Sequence, residues 1–132
     1  MKLVLDSSVL IAASISRAGV CAKLLEDVLT HHELIISDFI LDEISGKLRE
    51  KFQFPKTEIA ELCRFLRGAA TFVEPAEIGP TACRDSEDVA VLGTVIAGMV
   101  DLLISADKEL LVLGSFRGID IVKPGEFWRR TT

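Results

Sequence analysis

The residues of this sequence best suited to chemistry are carboxylates at the ends of short apolar runs. Leu3-Val4-Leu5 runs directly into Asp6, and Leu102-Leu103-Ile104 leads through Ser105-Ala106 into Asp107. Leu34-Ile35-Ile36 is followed by Ser37-Asp38, with Glu43 further along the same segment. Asp85-Ser86-Glu87-Asp88 opens the segment that precedes the 102–104 run. Carboxylates gathered in one cleft repel, each raising its neighbour's pKa. Lys108 is the one obvious neutralising charge within these motifs. Oxygen donors in excess of positive charge suit a hard divalent cation, Mg²⁺ or Mn²⁺. A cation so held lowers the pKa of bound water and stabilises charge on phosphate, so phosphodiester hydrolysis is the favoured reaction. No Ser or Cys nucleophile with a His base is visible, and His31 and His32 lie outside the acidic motifs. Each acid also has a simpler role. Asp6 and Asp107 suit helix N-caps, Asp85 and Asp88 suit the positive end of a helix dipole, and Glu43 suits a solvated helix face.

The elements that must position these acids follow from periodicity. Continuous apolar runs of this length read as strands buried on both faces. Five are expected: 3–5, Glu33–Ser37, a weak one over Ala70–Glu74, 102–104 and Ile119–Val122. Between them lie helical patterns over Val9–Ser16 and Val20–Thr30. A third starts at Ser37-Asp38, with Phe39, Ile40, Leu41, Ile44 and Leu48 on its apolar face. Further helices are expected over 56–68, from Asp85 to about Gly98, and over Lys108–Leu113. Pro75–Arg84 reads as a loop and the C-terminal residues as a short basic tail. Alternating strands and helices predict an α/β fold whose parallel sheet is covered on both sides. If strand order reverses between the first and fourth strands, Asp6 and Asp107 become neighbours at the switch point, where such folds bind ligands. Glu43 and Asp88 would then face the same crevice from flanking helices.

With 132 residues the chain is expected to form one domain, 1–132. The cysteines, Cys21, Cys63 and Cys83, are widely spaced and odd in number, which suggests reduced thiols and a cytoplasmic protein. No apolar run reaches membrane-spanning length and the N-terminus does not read as a signal peptide. The net charge of −5 argues against general coating of nucleic acid but leaves room for a local basic patch. Lys47, Arg49, Lys51, Lys56, Arg64 and Arg67 fall in one helical hairpin against Glu50, Glu58 and Glu61. Such clusters can track a phosphate backbone, and Lys47, Arg49 and Lys51 are the candidate RNA contacts.

The series Leu-Val-Leu-Asp-Ser-Ser-Val-Leu, Ile-Leu-Asp-Glu-Ile, Arg-Asp-Ser-Glu-Asp and Leu-Ile-Ser-Ala-Asp-Lys-Glu-Leu-Leu resembles the PIN domain. The likeness is nearest to the small VapC-like ribonucleases, the toxin components of toxin–antitoxin pairs, and spans Leu3 to Phe127. The resemblance implies a three-layer α/β/α sandwich with a five-stranded parallel sheet in the order 3-2-1-4-5. It implies that Asp6, Glu43, Asp88 and Asp107 form a metal-binding site that cuts RNA, with Asp85 able to share the third position. Ser105 matches the Ser or Thr two residues before the last acid, and Ser8 the polar residue two after the first. Ser7 stands where such proteins usually carry Thr. The resemblance also implies a homodimer, for which Phe39, Phe54 and Phe65 offer apolar surface, and a protein antitoxin as partner. The alternatives are a catalytically silent PIN-like binding module or a receiver-like phosphoacceptor domain. The latter would want adjacent acids after the first strand, where Ser7-Ser8 stand.

Overall fold

The computed structural model describes residues 1–79 and 86–131. In chain order the elements are β1 (Lys2–Leu5), α1 (Ser7–Ile15), α2 (Val20–His31), β2 (Glu33–Ile36), α3 (Asp38–Glu50), α4 (Lys56–Ala69) and β3 (Thr71–Phe72). They continue with α5 (Ser86–Gly98), β4 (Leu102–Ile104), α6 (Lys108–Leu111), β5 (Ser115–Phe116), β6 (Ile119–Val122) and α7 (Pro124–Thr131). The strands form one sheet in the order β3-β2-β1-β4-β6-β5. All pairs are parallel except β5 with β6. The expected order 3-2-1-4-5 therefore holds for the parallel strands, and one antiparallel edge strand, β5, is added to the five. The chain reverses from β5 to β6 through Arg117 and Gly118, both at positive φ, the conformation that tight hairpin turns require.

β1 is the centre of the sheet. Leu3 pairs with Leu34 on one side and Leu102 on the other, and Val4 with Ile35 and Leu103. Successive strand side chains point to opposite faces. Leu3, Val4 and Leu5 are nevertheless all fully buried, so helices cover both faces. The remaining core comes from the same kind of run in β2 and β4, and from the inward stripe of α3, Ile40, Leu41, Ile44 and Leu48. Phe39, expected on that stripe, is 38% exposed. One residue is about 100° of helix rotation from the next, and Ile40 and Leu41 already fill the inward arc. The expected basic tail is the helix α7, whose Phe127 is fully buried with its ring edge against His32. Among the described residues no single helix is long and apolar enough to cross a membrane.

Close approach fixes α5. A Cβ at Gly98 would lie 2.6 Å from Ile35 Cγ2, so the end of α5 rests directly on β2. At the other end of the packing, Thr94 Oγ1 donates to Ser37 Oγ at 2.9 Å, and both residues are fully buried. Ser37 is also the N-cap of α3, accepting from Ile40 N–H. One buried hydroxyl thus ties the start of α3 to α5, the two helices that carry Glu43 and Asp88.

Candidate active site

Asp6 is the first residue beyond β1. Its N–H still donates to the Ile104 carbonyl, at 3.1 Å, so the backbone remains in the sheet while the side chain caps α1 by accepting from Val9 N–H. Cap and site are therefore the same residue. The carboxylate is 2% exposed. Ser8 Oγ donates to its Oδ1 and Ser105 Oγ to its Oδ2, each at 2.5 Å. The two serines come from opposite sides of the β1–β4 seam and brace it in both directions. Ser8 Oγ also accepts from Ala106 N–H at 3.2 Å, and Ser105 Oγ from Asp107 N–H at 2.9 Å. Burial pushes the Asp6 carboxyl above its ordinary pKa. The bonds from Ser105, Ser8 and the Val9 N–H pull it back down, and the charge of Asp107 adds to the rise.

Asp107 sits beyond β4 as Asp6 does beyond β1. Its Oδ1 accepts Glu109 N–H at 2.9 Å, which makes it the cap of α6. Glu43 lies on the turn of α3 next to the inward stripe, with only 11% of its side chain exposed. Ser7 Oγ donates to Glu43 Oε1 in a short hydrogen bond, and Lys47 Nζ donates to the same oxygen at 3.2 Å. Glu43 Oε2 is buried with no hydrogen-bond partner among the described residues. Asp88, in the first turn of α5, is 6% exposed. Its neighbour Glu87 reaches to 3.8 Å from Lys47 Nζ. Among the described residues Asp6 and Asp88 are the two buried acids, and both are positions singled out by sequence. Asp85 lies outside the described residues.

The structure thus joins Asp6 to Asp107 through Ser105, and Glu43 to the start of α1 through Ser7. Asp38 is not part of the group: it is exposed on α3 and pairs with Arg67 at 2.6 Å. The three candidate RNA contacts separate. Lys47 turns onto Glu43, Arg49 Nη1 donates to the Phe54 carbonyl at 3.4 Å, and Lys51 is exposed at the end of α3. Burial alone would lower the Lys47 pKa. The hydrogen bond to Glu43 and the charges of Glu43, Glu87 and Asp6 outweigh it and hold the ammonium above its ordinary value. Sequence reasoning missed this pairing and the Ser7 bond. The Glu43–Lys47 spacing of four on a helix is the signal that reveals the first; the second depends on how α1 and α3 are rotated.

A divalent cation can be tested against these groups. Every donor is an oxygen, as hard ions prefer, and Glu43 holds one buried oxygen with nothing on it among the described residues. The donor chemistry fits. Among the described residues, no three acidic, histidine or cysteine side chains already stand around one ion position. Both Asp6 oxygens are instead held by serine hydroxyls, and Glu43 Oε1 by Ser7 and Lys47.

A family profile described as PIN domain matches residues 2–109. No curated protein matches the sequence. Among solved structures, the fold is similar to a chain of VapBC2 from Rickettsia felis, crystallised bound to a DNA fragment from their promoter. The TM-score is 0.66 at 13% identity, over 93% of this chain and 98% of that one. The sheet order, the acids on adjacent strand ends and the profile match over most of the sequence agree, and the chain belongs to the PIN-domain family.

Proposed function

We propose that this chain, as one PIN domain over 1–132, is a metal-dependent endoribonuclease that hydrolyses RNA phosphodiester bonds, and that it is the toxin of a toxin–antitoxin pair. PIN domains are generally nucleases. The observation that carries the reading here is Asp6: a nearly inaccessible carboxylate at the switch point, held by two serine hydroxyls and facing the charge of Asp107. A protein needing only a helix cap has no reason to desolvate it. Asp6, Glu43, Asp88 and Asp107 are the residues that would hold Mg²⁺ or Mn²⁺, with Asp85 a further candidate. Such an ion, once bound, supplies an activated water and charge stabilisation on phosphate.

The chain's own groups set the stage. Ser8 and Ser105 lock the Asp6 carboxylate against rotation, and Ser7 does the same for Glu43. Asp107 is fixed as a cap by one oxygen, Oδ1, on Glu109 N–H. Arg49 and Lys51 would guide the RNA backbone toward the crevice, and Lys47 stands within it. Fold similarity to VapBC2 supports a protein antitoxin as partner. Self-association is the companion proposal. Two grooves, of about 400 Å³ and 320 Å³, flank the half-exposed Phe65 between α4 and the α1–α2 pair, and both are lined by Ala13. We place the protein in the cytoplasm, where RNA is available.

The test is cleavage of a mixed RNA pool by purified protein, with Mg²⁺, with Mn²⁺ and after exhaustive chelation, with cut sites mapped. Cleavage only in the presence of metal, lost in Asp6→Asn, is expected. Full cleavage after chelation would overturn the metal requirement. Absence of cleavage under every condition would make this a silent binding module.

A further inference from the structure

Lys47 stands where its charge matters most. Its Nζ bonds Glu43 Oε1 at 3.2 Å and lies 3.8 Å from Glu87 Oε2, so it spans α3 and the first turn of α5. Its side chain is 34% exposed against 11% for Glu43. A compact ammonium on a flexible four-carbon stem can move outward without moving the helix. The two oxygens of Glu43 are used differently. Oε1 is taken by Ser7 and Lys47, while Oε2 is buried and has no partner among the described residues. Positive charge beside it stabilises a carboxylate so largely withdrawn from water.

We propose that Lys47 is a built-in counter-ion that neutralises Glu43 while no divalent cation is bound, and that it must withdraw from Glu43 when one enters. The inference rests on the reading of the acids as a metal site. Two cations on one carboxylate repel, so Lys47 competes with the metal and sets its affinity. A lysine that only decorated the helix surface would alter neither metal binding nor the stability of the metal-free protein.

The experiment is calorimetric titration of Mn²⁺ into wild type, Lys47→Met, Lys47→Arg and Asp107→Asn, with melting temperatures recorded in chelator. Lys47→Met should bind Mn²⁺ about fivefold more tightly, the scale of a part-exposed ion pair, and should melt lower than wild type when metal-free. Lys47→Arg keeps the charge and should bind no more tightly than wild type. Lys47→Gln serves as the uncharged variant if the Met form does not fold. Unchanged or weaker Mn²⁺ binding without the Lys47 charge, while Asp107→Asn still weakens it, overturns the competition and leaves the metal site standing. Binding by neither wild type nor Lys47→Met overturns both.

Discussion

Ser105→Ala is the most informative single change. The hydroxyl is fully buried and has two partners, donating to Asp6 Oδ2 at 2.5 Å and accepting from Asp107 N–H at 2.9 Å. A hydrogen bond to a charged group is worth about 1.5–3 kcal/mol and a neutral one about 0.5–1.5. Removing both, in a space a methyl leaves dry, should cost about 2–4 kcal/mol. For a domain of this size that is a fall in Tm of about 6–15 °C. The loss should also depend on pH. The Asp6 pKa is raised by burial overall, so the fold is most stable with respect to this group when it is protonated, and that stability is lost as pH rises through the folded pKa. The Ser105 bond works in the opposite sense. It favours the ionised carboxylate, so its contribution is present at neutral pH and fades as pH falls through the folded pKa. The deficit of Ser105→Ala should therefore be largest near neutrality and shrink in acid. Metal-free melts of both proteins across that range measure it. A variant within about 2 °C of wild type at neutral pH, against the loss expected for two buried hydrogen bonds, would refute the argument, as would a deficit that stays constant in acid.

Other changes separate structural from functional roles. Asp107→Asn preserves the cap, since Asn caps as well as Asp, and removes a charge facing Asp6. The metal-free fold should be unharmed or stabilised by about 1 kcal/mol, while the rise in Tm on adding Mn²⁺ should shrink; an equal rise in both proteins would remove Asp107 from the ligand set. Gly98→Ala should destabilise by about 1–3 kcal/mol through overpacking, because its Cβ would meet Ile35 Cγ2 at 2.6 Å; denaturant midpoints test this. Phe65→Asp should leave stability nearly unchanged at a half-exposed position and yield a monomer in light scattering, where wild type should run as a dimer; a wild type that is only ever 14.4 kDa would refute the dimer.

Much of the frame was legible in the sequence because parallel strands buried on both faces have a composition of their own. The runs at 3–5, 34–36 and 102–104 needed no partner to be recognised. β5 was not legible: two residues, Ser115 and Phe116, cannot show a period, and the turn at Arg117-Gly118 is set by backbone conformation. Asp6, Glu43, Asp88 and Asp107 stood out by their place after apolar runs or at helix starts. How the serines are used did not, because Ser105 meets Asp6 only when β4 lies beside β1, 99 residues away. In the sequence Lys47 is one of several basic residues of a helical hairpin, with Arg49 and Lys51 close by. On a helix Arg49 points away from Lys47, and of the three only Lys47 lies one turn from Glu43.

The central place of β1 has a consequence in time. Of the strands in this sheet it is made before the others, yet one of its two flanks, β4, pairs with it across some hundred residues. Until residues 102–107 are made, Leu3, Val4 and Leu5 have an open edge, Asp6 lacks its Ser105 clasp, and Asp107 does not exist. The crevice therefore closes late, as expected of a fold built on long-range pairings, and a nascent or truncated chain has no means of assembling it early.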